Sequence, residues 1–474
     1  MRSRDNITLH RGKGLYFIHA TKEKRIREIV HVTKKLPHMV RILQRKLYYK
    51  AKQEEGFRFY ALYDKIYRQD ILEHAYRLVH ANGGSPGIDG VSSRAIEDAG
   101  KRNQFLTKLA QQLESRSYTA DAVKRVWIPK PDGSQRPLGI PTLRDRVAQM
   151  AVKLVIEPIF EADFCDNSYG FRPQKSAHEA VDSISDSLHY RYTHVIDADL
   201  SKYFDTIPHA KLMAVVAERI VDGAILEILQ KWLKATVIEE DENGKRRTIG
   251  GGKGNRRGTP QGGVISPLLA NLYLHLLDRI WERHDIEERY GARLVRYADD
   301  LVILCRGDIR KPLALLKQIL DRLGLTLNET KTHIVNAFEA SFDFLGFSFQ
   351  MRQSKKSRKW YPHTEPSKKS IQRIKDKAKS LTDRKLTLIP MDKLMGALNR
   401  SVHGWCNYFQ YRNSSAALGE VKWYVEERVR THLRKRHKIR CRGTGLRRFT
   451  SEILYQQYGL YPVPTSVKWK HNAL

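Results

Sequence analysis

Apolar residues recur at spacings of three and four through residues 20–82, where Gly and Pro are scarce, so this stretch predicts helices. Gly83-Gly84-Ser85-Pro86-Gly87-Ile88-Asp89-Gly90 breaks the pattern and predicts a loop. Val126 to Leu138 predicts two short strands around a Pro131-Asp132-Gly133 turn. Helical spacing returns from Leu143 to Phe160 and over residues 209–235, with a short β-rich run from His194 to Leu200 between them. Asp241 to Gly258 is polar, Gly-rich and basic, which predicts a hairpin or a mobile segment. Pro267 to Trp281 reads as a Leu-rich helix, Leu294 to Leu304 as two strands around a turn, and residues 311–324 as a helix stopped by Gly324. Breakers at Ser354–Arg358 and Pro362–Pro366 predict a linker, followed by helix to about residue 440.

Composition narrows the class. Hydrophobic residues make up 41% of the 474, enough for a core and too many for a disordered chain. No apolar run approaches the roughly 18 residues of a membrane span, so no membrane partner is expected. Met1 to Gly14 lacks the apolar stretch of a secretory signal, and four cysteines fit a reducing interior. The expected location is the bacterial cytoplasm or nucleoid. The formal net charge of +33 calls for a polyanionic partner, and nucleic acid is the economical choice. Residues 351–474 hold 29 Lys and Arg against 8 Asp and Glu. Their densest run includes Arg434, Lys435, Arg436, Lys438 and Arg440, amid aromatics such as Trp405, Tyr408 and Trp423. Cations beside stacking faces suit RNA.

The candidate chemistry lies in two acidic segments. Asp299 and Asp300 sit between apolar strands, where two adjacent carboxylates repel and are costly to desolvate unless a divalent cation joins them. A second short strand leads into Asp197 and Asp199, which alternation puts on one face. If Asp199 meets Asp299 and Asp300 across a sheet, three carboxylates converge, enough for two Mg²⁺ ions and in-line phosphoryl transfer. Lys130 and Arg136 flank a tight turn, and both could clamp a triphosphate. His403, Cys406, His437 and Cys441 have loose zinc spacing, but they fall among core aromatics and a basic run, so zinc is not expected.

Tyr297-Ala298-Asp299-Asp300 resembles the catalytic tetrapeptide of reverse transcriptases, and Asp199 in Asp-Leu-Ser-Lys-Tyr-Phe-Asp resembles their first catalytic aspartate. Further blocks follow in family order: Arg125–Leu138, Tyr169-Gly170-Phe171-Arg172-Pro173, Gly258–Leu269, Asn328-Glu329-Thr330-Lys331-Thr332 and Phe344-Leu345-Gly346-Phe347. With Leu398–Phe409 resembling a maturase domain, the chain is similar to group II intron-encoded reverse transcriptase/maturases. The resemblance implies an α+β right-hand polymerase: fingers and a palm with an antiparallel sheet and packed helices, then an α-helical thumb/maturase domain. The divisions it suggests are an N-terminal helical extension (1–82), fingers and palm (83–350), a linker (351–366), the thumb (367–440) and a basic tail (441–474).

The same resemblance implies catalytic Asp199, Asp299 and Asp300, with Leu200 joining them in the metal set. It gives the triphosphate to Lys130 and Arg136, and the floor under the incoming sugar to Phe204, whose ring would clash with a 2′-hydroxyl. Gln261 would contact nucleotide or template, and Lys331 the leaving phosphates. Phe344, Leu345 and Gly346 would form the primer grip. The implied partners are group II intron RNA, target DNA and dNTPs; oligomeric state is left open. Paired CxxC motifs and a His-Asn-His pattern are missing from the end of the sequence, so an endonuclease domain is not expected. A domesticated reverse transcriptase and a splicing-only RNA-binding protein are the rival readings.

Overall fold

The computed structural model describes residues 37–467, apart from 130–132, 134 and 242. Strands β1 (Val123–Pro129) and β2 (Gln135–Ile140) pair antiparallel, as the turn between them predicts. The next strand, β3 (His194–Ala198), belongs to another sheet. The basic segment after residue 236 is a hairpin of β4 (Val237–Glu240) and β5 (Arg246–Gly250), and it extends the first sheet in the order β2-β1-β4-β5.

A second hairpin, β6 (Ala292–Tyr297) and β7 (Asp300–Cys305), is the strand–turn–strand unit expected there. With β3 and β8 (His333–Asn336) it makes the antiparallel palm sheet, ordered β6-β7-β3-β8. Ile196, Leu301 and Ile303 on one face pack into the main core, while Val195, Val302 and Leu304 on the other enter a second core. The sheet is therefore buried on both faces, which explains its nearly unbroken apolar strands.

The helix His38–Gln53 and the helix Gln69–Ala81 bury Val40, Leu47, Ile71 and Tyr76 in the same core as the long helix Leu143–Glu161. Residues 38–81 are thus part of the fingers and palm body, not an extension set apart from it. Residues 1–36 of the expected extension lie outside the described residues.

The expected linker at 351–366 is instead sheet. A third sheet, ordered β11-β10-β9, is built from β9 (Phe342–Phe344), β10 (Phe347–Gln353) and β11 (Trp360–Pro366). Pro362 and Pro366 are tolerated because β11 is an edge strand, where a missing N–H costs no ladder bond.

Beyond it, helices Lys368–Leu381, Met391–Phe409 and Ser415–Arg436 bury Ile374, Leu398, Val402, Val421 and Val429 in a separate core. Phe449, Leu454, Leu460 and Val463 join that core. Glu426 accepts hydrogen bonds from Arg430 Nη2 (2.8 Å), Ser451 Oγ (2.7 Å) and the Tyr455 hydroxyl. The described part of the expected tail, 441–467, is therefore a structural portion of the thumb.

Candidate active site

Register places the acidic groups. Asp197 lies opposite Val302, and Ala198 opposite Leu301, so Asp197, Asp199 and Asp300 point to one face of the palm sheet at the mouth of the β6–β7 turn. Asp299 occupies the turn itself. Desolvation first, then the carboxylates of Asp299, Asp197 and Asp199, push Asp300 up to about 7, with Arg136 opposing. The Asp300 side chain keeps an exposed edge, so its acidic neighbours are the firmer cause. Desolvation and then Asp199 push Asp197 up to about 6. Asp299 is raised by desolvation, opposed by its own backbone N–H and by Arg136, and raised further by Asp199.

Mutual repulsion with too little positive charge suits a divalent cation, and carboxylates are donors that Mg²⁺ accepts alongside water and substrate phosphate. Among the described residues, no three His, Cys, Asp or Glu side chains form a ready metal cage. Asp197, Asp199 and Asp300 share a face, and with Asp299 they feel one another's charge.

Buried chemistry holds the turn. Arg296 on β6 is fully buried. Its Nε donates to both oxygens of the equally buried Asp278 at 3.0 and 3.1 Å, and its Nη1 to Asn271 Oδ1 and to the carbonyl of Ala298, each at 3.0 Å. Ala298 has φ +58, a left-handed conformation unusual for a residue with a Cβ, and the bond to its carbonyl steadies it there. Asn271 in turn donates to the carbonyl of Gly170 at 2.7 Å. A Cβ on Gly170 would stand 2.4 Å from the Ala298 nitrogen, so only glycine lets the Tyr169–Pro173 block lie against the β6–β7 turn. These supporting residues were missed in the sequence, although Asn271, His275 and Asp278 show a polar stripe at helical spacing inside the Leu-rich helix Ser266–Arg283.

Asp199 is held from the other side. Its carbonyl accepts from the Asn328 N–H at 2.8 Å, and its Oδ2 from Asn328 Nδ2 at 2.9 Å. Leu200 pairs with Leu327 in an isolated bridge, so its backbone is positioned beside Asp199. Lys331 is exposed in the turn after Asn328, not at a helix end.

The remaining expected residues divide. Arg136 on β2 is exposed and close enough to Asp299 and Asp300 to act on both charges. Lys130 lies outside the described residues. Phe204 is half-buried against Tyr203, and its carbonyl accepts from the Thr259 N–H at 2.7 Å. Gln261 Nε2 reaches Asp205 Oδ2 at 3.4 Å. Gly262 has φ +109, and a Cβ there would meet the Gly139 carbonyl at 2.4 Å. The Gly262 backbone therefore lies close against β2, tying the two segments together. Phe344 is buried, and Leu345 and Gly346 form a two-residue turn with φ +51 and +82. That turn is already engaged: Tyr408 OH donates to the Leu345 carbonyl at 2.9 Å, and Ser370 Oγ to the Gly346 carbonyl at 2.9 Å.

The expected RNA-binding run also splits. Lys435, Lys438 and Arg440 are exposed. Arg436 instead donates to the carbonyls of Thr387 at 2.9 Å and Ile389 at 2.7 Å, and Arg434 to that of Arg440 at 3.1 Å. Both arginines brace the thumb, which leaves three exposed cations in the run where the sequence suggested five.

A palm sheet carrying paired carboxylates at a hairpin turn, preceded in the chain by a fingers hairpin and followed by a helical thumb, defines a right-hand polymerase. The family model for reverse transcriptase (RNA-dependent DNA polymerase) matches residues 128–349, and that for the group II intron maturase-specific domain matches residues 371–449. Protein YkfC of Escherichia coli (strain K12) is 33% identical over 350 residues, covering 66% of this chain and 89% of that protein. The group II intron-encoded protein LtrA of Lactococcus lactis subsp. cremoris is 27% identical over 469 residues, covering 80% and 75% of the two chains. The chain belongs to the group II intron reverse transcriptase/maturase family. It is an RNA-directed DNA polymerase that also carries the splicing-maturase function of that family.

Proposed function

We propose that Asp199, Asp299 and Asp300 carry nucleotide addition, and that these three aspartates, with Leu200, hold two Mg²⁺ ions. The observation that carries this reading is the shared sheet face of Asp199 and Asp300, with Asp299 in the adjoining turn. Bound Mg²⁺ would supply an activated 3′-hydroxyl and charge neutralisation for the leaving pyrophosphate. Arg136, whose charge acts on Asp299 and Asp300, and Lys130 hold the triphosphate. Phe204 lies under the sugar and excludes a 2′-hydroxyl, Gln261 borders the base, and Lys331 meets the leaving phosphates. Phe344, Leu345 and Gly346 support the primer through the turn that the thumb holds.

Intron RNA, target DNA and dNTPs are the partners on this reading. Lys435, Lys438 and Arg440 contribute phosphate contacts on the thumb, and reverse transcription supports intron mobility. No helix among the described residues is long and apolar enough to cross a membrane. A cytoplasmic or nucleoid location follows from the nucleic-acid partners.

The test is primer extension on an RNA template by Asp199→Asn and Asp299→Asn proteins, with RNA affinity and circular dichroism measured alongside. Extension is expected to vanish at every Mg²⁺ concentration while RNA binding persists. Extension within tenfold of wild type in either protein would overturn the assignment.

A further inference from the structure

Phe204, Gln261 and Arg136, the groups proposed to meet the incoming nucleotide, stand on distant parts of the chain, and one loop joins them. At its start the Gly258 N–H donates to the Ile207 carbonyl at 2.9 Å, and the Thr259 N–H to the Phe204 carbonyl at 2.7 Å. In its middle the Gln261 carbonyl accepts at 2.5 Å from the N–H of Gly139 on β2, the strand that carries Arg136. The loop has little slack. Ser266 Oγ donates to the Pro260 carbonyl at 2.8 Å, and Gly262 lies at φ +109 against the Gly139 carbonyl. A Cβ on Gly263 would stand 2.7 Å from Ser266 Oγ and 3.3 Å from Gln149 Oε1.

The end of the loop is held from outside. Gln149 belongs to the helix Leu143–Glu161 and is 95% buried. Its Oε1 accepts from the Val264 N–H at 2.8 Å and from the Ile265 N–H at 3.4 Å. Among the described residues, no backbone carbonyl takes either N–H. Ile265 is the N-cap of the helix Ser266–Arg283, and its side chain cannot cap. A buried amide is costly unless it is bonded, and an apolar side chain would fill the same space at no such cost. The glutamine satisfies a loop 115 positions away.

We propose that Gln149 is a positioning residue for the incoming nucleotide. By fixing the end of the 258–265 loop, it sets where Gln261 stands between the sugar floor at Phe204 and the triphosphate clamp at Arg136. It touches no substrate and acts through the loop. The proposal rests on the roles assigned to Phe204, Gln261 and Arg136 under the proposed function. Its consequence is selective: dNTP binding depends on the loop, whereas a template–primer duplex is held at many other points.

The test is single-turnover incorporation on an RNA template, which separates the Kd for dNTP from the maximal rate. Gln149→Met keeps the length of the side chain and removes the acceptor. It should raise the Kd for dNTP about tenfold, the scale of one buried hydrogen bond, with the maximal rate and the duplex affinity little changed. Gln149→Glu keeps an acceptor oxygen whether or not it is ionised, and should bring the Kd back toward wild type. A purely structural role would lower the urea midpoint of Gln149→Met and leave its Kd for dNTP unchanged. Because the position is in the core, a second measurement uses wild-type protein. Hydrogen exchange at the Val264 and Ile265 amides should slow when the correct dNTP joins a chain-terminated primer–template, beyond the effect of the primer–template alone. An unchanged Kd in folded Gln149→Met, no rescue by Gln149→Glu, or no added protection would overturn the proposal. When Gln149→Met has no effect, Gln261→Ala tells which statement failed. Weaker dNTP binding in that protein leaves the nucleotide site standing and removes only Gln149 from it; no effect there removes the whole loop from the site.

Discussion

Asn328 holds Asp199 twice, through its backbone N–H to the aspartate carbonyl at 2.8 Å and through its amide to the carboxylate at 2.9 Å. The side-chain bond leaves the other carboxylate oxygen free and fixes the rotamer. Asn328→Ala should therefore slow single-turnover primer extension by roughly tenfold to a hundredfold, the worth of a hydrogen bond to a charged group. RNA affinity should be unchanged. A rate within twofold of wild type would show that the bond does not orient the aspartate.

Arg296 and Asp278 form a fully buried pair beneath the β6–β7 turn. Removing one partner strands the other charge, so Arg296→Met should lower stability by about 3–5 kcal/mol. Arg296→Met/Asp278→Leu should recover much of that stability but not polymerisation, because the bond to the Ala298 carbonyl stays lost. Urea unfolding and primer extension on both proteins separate the two effects. Full activity in the double variant would contradict the positioning role.

On the role proposed for Phe204, Phe204→Ala should admit ribonucleotides, because the ring that would clash with a 2′-hydroxyl is removed. Extension with rNTPs alone on an RNA template is the measurement. An unchanged preference for dNTPs would mean that the half-buried ring serves packing against Tyr203.

On the thumb, the triple change Lys435→Ala/Lys438→Ala/Arg440→Ala should reduce the magnitude of the salt slope for RNA binding by roughly 2–3 if each cation meets a phosphate. Arg436→Ala should behave differently. It frees the carbonyls of Thr387 and Ile389, so it should lower the unfolding midpoint with little change in slope. Identical effects from the two proteins would erase this distinction.

His275 is buried beside Cys165, and desolvation is the main cause that lowers it from 6.5 to about 4, against the attraction of Asp278. A depressed histidine binds its proton more readily in the unfolded chain. Stability tied to it is therefore present above pH 6.5 and is lost as pH falls toward 4. Between pH 7.5 and 5 the loss should approach ~2 kcal/mol, an upper figure from the two pKa values. In His275→Gln the pH dependence of the urea midpoint should flatten by that amount, and an equal slope in both proteins would assign it to other groups.

Much of this molecule was legible in one dimension. The β3 and β6–β7 strands announced themselves through apolar runs ending in Asp199 and in Asp299-Asp300, because a sheet buried on both faces has few ways to be written. The hairpin β10–β11 was hidden by Pro362 and Pro366, which signal a break unless one knows that the strand lies at an edge. Arg436 and Lys435 look alike in sequence, and only the three-dimensional neighbourhood of Thr387 and Ile389 separates them. Asn328 belongs to a visible block, but its hold on Asp199 spans 129 positions and leaves no local mark.

The palm helix Ala177–His189 reaches across to the thumb. Asp182 takes the guanidinium of Arg412 at 2.8 Å and the hydroxyl of Tyr411 at 2.6 Å, while His178 bonds the Tyr408 carbonyl at 2.7 Å. The Leu345-Gly346 turn is clasped by Tyr408 of the helix Met391–Phe409 and by Ser370. The two modules recognised as separate families consequently cannot be exchanged at a seam near residue 366. A chimera that takes its maturase half from a relative must bring the matching surface of the 177–189 helix and the 344–347 turn with it, or the graft will leave Asp182 and two turn carbonyls without their partners.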